Sequence, residues 1–120
     1  MKLKISQYIK KGDFENERIA FKVEQDCDLQ FFAVHISTIT DNGGFYNKPR
    51  HTFWFPPTKV KTGDWVVLYT KKGKQSEKIN NEGNLSHFFY WGLEHSILNT
   101  TKDGVILAQI NTWQTSWDDD

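Results

Sequence analysis

Hydrophobic and polar residues alternate along much of this chain with the two-residue period of β-strands. Leu3 and Ile5 are separated by a lysine, and apolar side chains alternate with charged ones over residues 18–23. Such alternation is typical of strands with one buried face. Residues 31–39 are apolar on both faces, which predicts a central strand. No segment sustains the 3.6-residue period of an amphipathic helix.

Turn-forming residues divide this pattern into short segments. Residues 41–44 tolerate positive φ, and Pro56 and Pro57 end the strand before them because neither can donate to a ladder. Turn signals recur roughly every 8–15 residues, which favours an all-β sandwich or barrel. Between the turns, further strands are predicted at residues 52–55, 65–70, 87–91 and 105–110.

One long polar stretch, residues 71–84, interrupts the strands. It contains two glycines, and Ile79 is its only large aliphatic residue. We expect an exposed hairpin loop that is mobile in the free protein, because little apolar surface is present to offset the entropy of ordering. No domain boundary is visible. We therefore predict one domain over residues 1–117, followed by a short acidic tail over residues 118–120.

The composition supports a hydrophobic core and provides no net charge. Aromatic residues make up 15% of the 120 residues. Fifteen basic and fifteen acidic side chains cancel, so no overall attraction to nucleic acid or an anionic membrane is expected, and self-association becomes easier. Cys27 is the only cysteine, which excludes an intrachain disulfide and fits a reducing compartment.

No secretory signal and no apolar stretch of roughly 20 residues is visible. We therefore expect a cytoplasmic protein that does not contact the membrane. Removal of a signal sequence before residue 1 stays open as an alternative.

Several landmarks of the chain resemble the lamin tail domain. An aromatic strand ends at Pro56 and Pro57, Gly63 precedes the strand over residues 65–69, Trp91 follows, and Asp103-Gly104-Val105 opens the last strand. The resemblance implies an immunoglobulin-like β-sandwich of two mainly antiparallel sheets. It also implies a binding role, because this domain in nuclear lamins binds proteins and chromatin.

Family members in bacteria are often attached to nucleases or other hydrolases. This chain has neither the heptads of a lamin rod nor a nuclease motif, so it resembles a stand-alone member of the family. In such a sandwich Trp91 is large enough to fill the gap of about 10 Å between two sheets, and we expect it to be buried there.

Catalytic and metal-binding patterns are weak. The four histidines are dispersed, and His87, Glu94 and His95 form the only grouping that suggests metal ligands. No G-x-S-x-G elbow is present. Two pairs of nearby carboxylates, Glu15 with Glu17 and Asp26 with Asp28, are interpreted as solvated groups. We therefore predict no enzyme activity, no metal and no cofactor.

Two groups of residues are candidate contacts. Phe45, Tyr46, Trp113 and Trp117 lie outside the regular strand pattern, and large aromatics of this kind are either tucked over a sheet edge or part of a protein interface. The second group combines one aromatic residue with four lysines: Tyr69, Lys71, Lys72, Lys74 and Lys78. These side chains either bind a nucleic-acid backbone and stack on a base, or form a solvated surface.

The function predicted first is a non-catalytic module that binds another macromolecule, most simply a protein. The alternative is a nucleic-acid-binding module that uses the hairpin over residues 71–78, with Glu77 and Glu82 diluting its positive charge. A small hydrolase ranks third. The identity of the partner is not encoded in any motif that we recognise.

Overall fold

The structure, a computed structural model, describes residues 1–118. Asp119 and Asp120, which belong to the predicted acidic tail, lie outside the described residues. Apart from a short 3-10 helix at Leu29–Phe31, the regular structure in the described chain is β-strand, which confirms the predicted all-β class. The strands are β1 (Leu3–Ile9), β2 (Arg18–Val23), β3 (Cys27–Asp28), β4 (Phe32–Thr38), β5 (His51–Trp54), β6 (Lys59–Val60), β7 (Trp65–Tyr69), β8 (Ser76–Ile79), β9 (Leu85–Tyr90) and β10 (Asp103–Gln109).

These strands form three sheets. Five pair in the order β1-β2-β7-β9-β8, three in the order β10-β4-β5, and β3 pairs with β6. The pairing is antiparallel everywhere in the described chain except between β7 and β9, which run parallel. The apolar segment 31–39 becomes β4, the middle strand of the three-stranded sheet, as its sequence predicts.

The five-stranded and three-stranded sheets contribute side chains to one hydrophobic core. Phe21 of β2 meets Phe55 at 6.0 Å between ring centroids, and Phe53 of β5 meets Phe89 of β9 at 6.3 Å. The alternating positions of β2, β4 and β7 point their apolar side chains inward, so the burial pattern follows the sequence pattern.

Trp91 is half-buried and lies at the rim of this core. Its ring contacts Phe53 at 5.8 Å and His51 at 6.3 Å. The expected enclosure of Trp91 between the sheets is therefore not found. Phe89, two residues earlier and 1% exposed, occupies the enclosed position, because it still belongs to β9 whereas Trp91 follows the strand.

The sequence predicts one continuous loop over residues 71–84. This prediction is wrong, because the stretch contains β8. This strand pairs with β9 and forms one edge of the five-stranded sheet, with Lys78 opposite Ser86. All four residues of β8 are exposed. An edge strand without a buried face has no hydrophobic alternation, so the sequence pattern could not reveal it.

Two glycines illustrate different constraints. Gly63 has a φ of 93°, which confirms that the turn before β7 needs the backbone freedom of glycine. Gly104 lies inside β10 and not in the predicted turn. A Cβ at Gly104 would stand 2.3 Å from Ile39 Cγ1, so a larger residue at this position would displace the Ile39 side chain.

Within residues 1–118 no helix is both long and apolar enough to cross a membrane.

Candidate binding surfaces

Glu17 is fully buried, which corrects its interpretation as a solvated group. Its carboxylate accepts hydrogen bonds from the hydroxyls of Thr70 (2.6 Å) and Ser96 (2.6 Å) and from the N–H groups of Gly12 (2.9 Å), Ile97 (3.2 Å) and Leu98 (3.3 Å). Burial is the largest influence and raises the pKa of Glu17, but the hydrogen bonds together lower that pKa below its ordinary value. Glu17 is thus an ionised anchor that joins three parts of the chain.

A second buried polar pair lies between β7 and β9. His87 Nε2 is 2.9 Å from Asp64 Oδ2, and His87 Nδ1 is 3.5 Å from Glu77 Oε2. Asp64 also accepts the N–H groups of Lys61 and Leu85, each at 3.1 Å. Burial, the largest influence, raises the pKa of Asp64, but the hydrogen bonds from His87 and the two N–H groups outweigh it and lower the pKa. Both ring nitrogens of His87 face carboxylates.

The remaining carboxylates of interest hold turns. Asp26 accepts the N–H of Thr62 at 2.8 Å, and Asp28 accepts the N–H of Thr58 at 3.1 Å. Asp103 accepts two backbone N–H groups of the preceding turn and pairs with Arg50. Each of these groups therefore ties two separate segments together, as Glu17 does, although Asp26 is exposed, in agreement with its interpretation as a solvated group.

The grouping of His87, Glu94 and His95 does not form. Glu94 Oε1 lies 3.7 Å from Lys72 Nζ, and His95 is exposed. Across the described residues, no three His, Cys, Asp or Glu side chains converge in a way that would hold a metal ion. Cys27 is half-buried, and burial raises the pKa of its thiol, which keeps it protonated at neutral pH.

The outer face of the three-stranded sheet carries a shallow apolar groove of about 340 Å³, and we call this surface the groove face. Strand register places Ile106 of β10 opposite His35 of β4, and Ala108 opposite Ala33. Of these, His35, Ile106 and Ala108 line the groove and form its floor. The groove is lined by His35, Phe45, Tyr46, Pro49, Ile106 and Ala108.

Aromatic residues stand at one end of the groove face. Phe45 and Tyr46 are 52% and 62% exposed. Their backbone is fixed, because the Ser37 hydroxyl donates to the Tyr46 carbonyl at 2.6 Å and the Tyr46 N–H donates to the Thr38 carbonyl at 3.1 Å. The loop after β4 thus holds both rings out from the sheet.

The other end of the same face carries a second aromatic cluster. The Trp113 ring lies 5.1 Å from that of Trp54 and 5.8 Å from that of Phe31. Trp54 Nε1 donates to the Gln30 carbonyl at 2.7 Å, which fixes the indole. Trp113 remains 46% exposed, so it is tucked against the sheet and still offers contact area. The structure thus brings Phe45, Tyr46 and Trp113 to one face.

Trp117 does not belong to this cluster. Its side chain is 87% exposed, and no ring contact or hydrogen bond of Trp117 is seen within the part of the chain that the structure describes. The cluster around Trp113 also includes Trp54 and Phe31, which the sequence analysis did not identify as candidate contacts. Both lie inside strand-like apolar runs, where nothing in the pattern distinguishes an outward aromatic from a core residue.

The outer face of the five-stranded sheet combines aromatic rings with cations, and we call it the basic face. Lys22 Nζ lies 4.4 Å from the ring centroid of Trp65, and the Arg18 guanidinium lies 5.4 Å from that of Tyr69. Tyr69 stacks on Tyr90 at 5.1 Å with an angle of 11° between the rings. Such cation–π contacts stabilise each pair by about 0.5–1 kcal/mol at exposed sites.

The lysines predicted to form one cluster, Lys71, Lys72, Lys74 and Lys78, do not all lie on the basic face. Lys71 joins the basic face, with its Nζ 5.5 Å from the Tyr69 ring and 3.9 Å from Glu15. Lys78 is exposed on β8, on the same face as Trp65. Lys72 instead forms an ion pair with Glu94, and Lys74 is exposed in the connection before β8.

Arg18 and Lys22 are the cations of the basic face that sequence reasoning missed. Arg18 and Lys22 alternate with apolar residues of β2, so the sequence pattern alone indicates that their side chains point outward. Their placement beside Tyr69 and Trp65 depends on the pairing of β2 with β7, which is not a local property of the sequence.

No family model matches this chain, and comparisons with curated proteins and with solved structures found no match either.

Proposed function

We propose that this protein is a non-catalytic module that binds another protein through the groove face. The observation that carries the proposal is that one sheet face carries two aromatic clusters: Phe45 and Tyr46 line the apolar groove, and Trp54 with Trp113 lie at the other end of the face. Interface energy concentrates in large aromatic side chains, which combine much apolar area with few rotatable bonds.

Preorganisation favours binding at this surface. The floor consists of two paired strands, and hydrogen bonds to backbone groups hold both Tyr46 and Trp54. A partner would therefore meet a fixed backbone at Tyr46 and a fixed Trp54 indole, so less ordering would be needed on association.

The ring contacts of His87 support the non-catalytic part of the proposal for that residue, whereas His35 Nδ1 does lie 2.9 Å from Thr52 Oγ1 on the exposed face of the three-stranded sheet. The two ring nitrogens of His87 lie against Asp64 and Glu77, so neither is directed at a serine or threonine hydroxyl. A general base for a hydroxyl nucleophile needs a free ring nitrogen within hydrogen-bonding distance of that hydroxyl. The buried carboxylate of Glu17 is likewise occupied by five donors.

We further propose an immunoglobulin-like sandwich of the lamin tail type. Support comes from the two larger sheets that share one core, from Pro56 and Pro57 directly after β5, and from Gly63 with positive φ before β7. Superposition of an experimental structure on known lamin tail domains tests this arrangement, and a different strand connectivity would contradict it.

Affinity capture with matched variants tests the binding role. The parent, a Phe45→Ser/Tyr46→Ser double variant and an Ile79→Ser control are immobilised and exposed to extract of the native cell. Ile79 is 71% exposed on β8, so the control removes an equally exposed apolar side chain elsewhere. We expect a protein retained by the parent and the control but lost from the double variant.

The affinity of the recovered partner is then measured with purified protein. Loss of two interface aromatics should weaken binding at least about tenfold, since each such residue contributes more than about 1 kcal/mol. Equal retention by the double variant and the parent would refute the groove face as the contact surface.

A second candidate is single-stranded nucleic-acid binding through the basic face. The observation favouring it is the placement of Arg18, Lys22 and Lys71 against aromatic rings, since cations and stacking platforms together bind such strands. It ranks second because the same cations already cover the rings that a base would stack upon.

Titration of a labelled oligonucleotide at several salt concentrations decides this ranking. We expect no appreciable binding at physiological salt. A dissociation constant below about 1 µM would promote the second candidate, because that is tighter than ordinary non-specific binding. In that case Lys22→Ala should flatten the salt slope by up to about one unit for its lost phosphate contact.

A further inference from the structure

We propose that β10 is a self-association edge, and that two copies of this chain pair their β10 strands in antiparallel fashion about a two-fold axis at Ile106. This dimer would form without the partner of the groove face, and it would join two three-stranded sheets into one continuous sheet.

Half of the backbone groups of β10 point away from its neighbour. The Ile39 N–H donates to the Lys102 carbonyl, and the Ile110 N–H donates to the Phe31 carbonyl. Hydrogen-bonded pairs alternate along an antiparallel ladder, so the even-numbered residues of β10 bond to β4. The odd-numbered residues Val105, Leu107 and Gln109 therefore direct their N–H and carbonyl groups to the open edge. No residue in the described range 1–118 bonds these groups.

This edge lacks the protection found at the ends of the five-stranded sheet. The outer strand β8 has only four residues, among them Glu77 and Lys78. The other outer strand, β1, contains Lys4 and a register shift between Ile5 and Gln7. From residue 104 to residue 109, β10 has no charge, no proline and no register shift against β4. Charges, short length and bulges are the means by which edge strands avoid pairing with other chains, and β10 beyond Asp103 uses none of them.

The core is also open beside β10. Leu3 and Ile5 of β1 and Leu107 of β10 line an apolar crevice of about 350 Å³. Ile5 is 38% exposed although it pairs with the buried Phe21 and faces the core side. A strand added along β10 would cover part of this crevice, so backbone pairing and apolar burial would act together.

A second copy fits this edge because β10 is complementary to itself. Pairing about Ile106 sets Val105 opposite Leu107 of the second copy, and the reverse, as hydrogen-bonded pairs. The same register sets Gly104 opposite Ala108 and Asp103 opposite Gln109, so no like charges meet. The zero net charge of the chain adds no long-range repulsion between copies. Such an isologous contact closes as a dimer and leaves no further β10 edge exposed.

Mass measurement in solution tests the dimer directly. Sedimentation or light scattering of the parent should give twice the chain mass of 14.1 kDa. Ile106→Lys should halve the measured mass at equal protein concentration, because the register brings the two lysines face to face across the axis. Thr52→Lys is the matched control. Thr52 lies in the same row of the outer face at the opposite edge of the sheet, so the same charge there should leave the mass doubled.

Charge exchange tests the register. Ile106→Lys and Ile106→Asp should each be monomeric with strand content unchanged by circular dichroism, and their equimolar mixture should recover the doubled mass. The Phe45→Ser/Tyr46→Ser variant should remain dimeric, which separates this outcome from any failure of the groove face. A monomeric parent would overturn self-pairing and leave the edge for an extended segment of another protein. An Ile106→Lys variant that stays dimeric, or a mixture that fails to associate, would overturn pairing at Ile106.

Discussion

A single buried carboxylate, Glu17, joins segments that are far apart in the sequence. Two of its donors, the Thr70 hydroxyl and the Leu98 N–H, lie 53 and 81 residues away. Substitution with glutamine keeps the shape but replaces one acceptor oxygen by a donor that faces other donors. Leaving a buried polar group without a partner costs about 1–3 kcal/mol, roughly twice what an ordinary hydrogen bond contributes.

We expect Glu17→Gln to lower the free energy of unfolding by about 3 kcal/mol at pH 7, since hydrogen bonds to a charged group contribute about 1.5–3 kcal/mol each and more than one is lost. Urea unfolding followed by circular dichroism measures the change. Glu15→Gln is the matched control, because its side chain is 73% exposed and should change stability little. Equal unfolding curves for the two variants would contradict the role of Glu17 as an anchor.

The aromatic core provides a second comparison between neighbouring residues. Phe89 is 1% exposed and packs against Phe53 and Phe55, whereas Trp91 is half-buried at the rim. Phe89→Ala should cost about 3–5 kcal/mol, the range for a large buried aromatic. Trp91→Ala should cost clearly less although indole is the larger ring, because surrounding water and side chains can fill the exposed side. A larger loss for Trp91 in the same urea titration would restore it as the central core residue.

At the scale of elements, the sequence predicts those strands that have a buried face. β2 alternates in hydrophobicity, β7 is a continuous run of aliphatic and aromatic residues, and β4 has apolar residues on both faces, so their existence follows from burial alone. β8 has no buried face, and the parallel pairing of β7 with β9 depends on contacts between distant segments. The burial of Glu17 escaped prediction for the same reason, because its donors come from the distant residues that surround it.

The candidate surfaces follow the same rule. Phe45, Tyr46 and Trp113 were recognisable because they interrupt the strand pattern. Trp54 and Ile106 lie within strands, and only the register of β10, β4 and β5 shows that they face outward on the same sheet as the groove. A one-residue change of register would reverse which side chains reach that face.

The pairing of β8 makes a prediction about hydrogen exchange. Asn80 N–H donates to the Asn84 carbonyl at 2.8 Å, so the alternation of an antiparallel ladder directs the amides of Ser76 and Lys78 toward β9 and those of Glu77 and Ile79 toward solvent. Ser76 and Lys78 should therefore exchange more slowly than Glu77 and Ile79 in residue-resolved NMR. Uniformly fast exchange across residues 71–84 would instead indicate the mobile loop that the sequence predicts.

At the scale of the whole molecule, ionised carboxylates hold the sheets and turns together. The pKa values of Glu17, Asp28, Asp64 and Asp103 are all lowered in the fold, because hydrogen bonds to the charged form outweigh the opposing effect of burial. At acid pH the unfolded chain therefore binds more protons than the folded chain. This difference makes the unfolding free energy rise with pH in that region.

The stability contributed by these groups is complete above their ordinary pKa values, 4.5 for Glu17 and 3.8 for the aspartates, and is lost as pH falls toward their lowered values in the fold. We expect the urea midpoint to fall slightly from about pH 7 to 5.5, because burial lowers the pKa of His51 in the fold, and to fall steadily below about pH 5. Glu17→Gln should flatten the upper part of this fall because it no longer titrates at position 17, whereas Glu15→Gln should keep the parent slope. A midpoint that rises on acidification, or identical slopes for the two variants, would show that the buried carboxylate does not link protonation to folding.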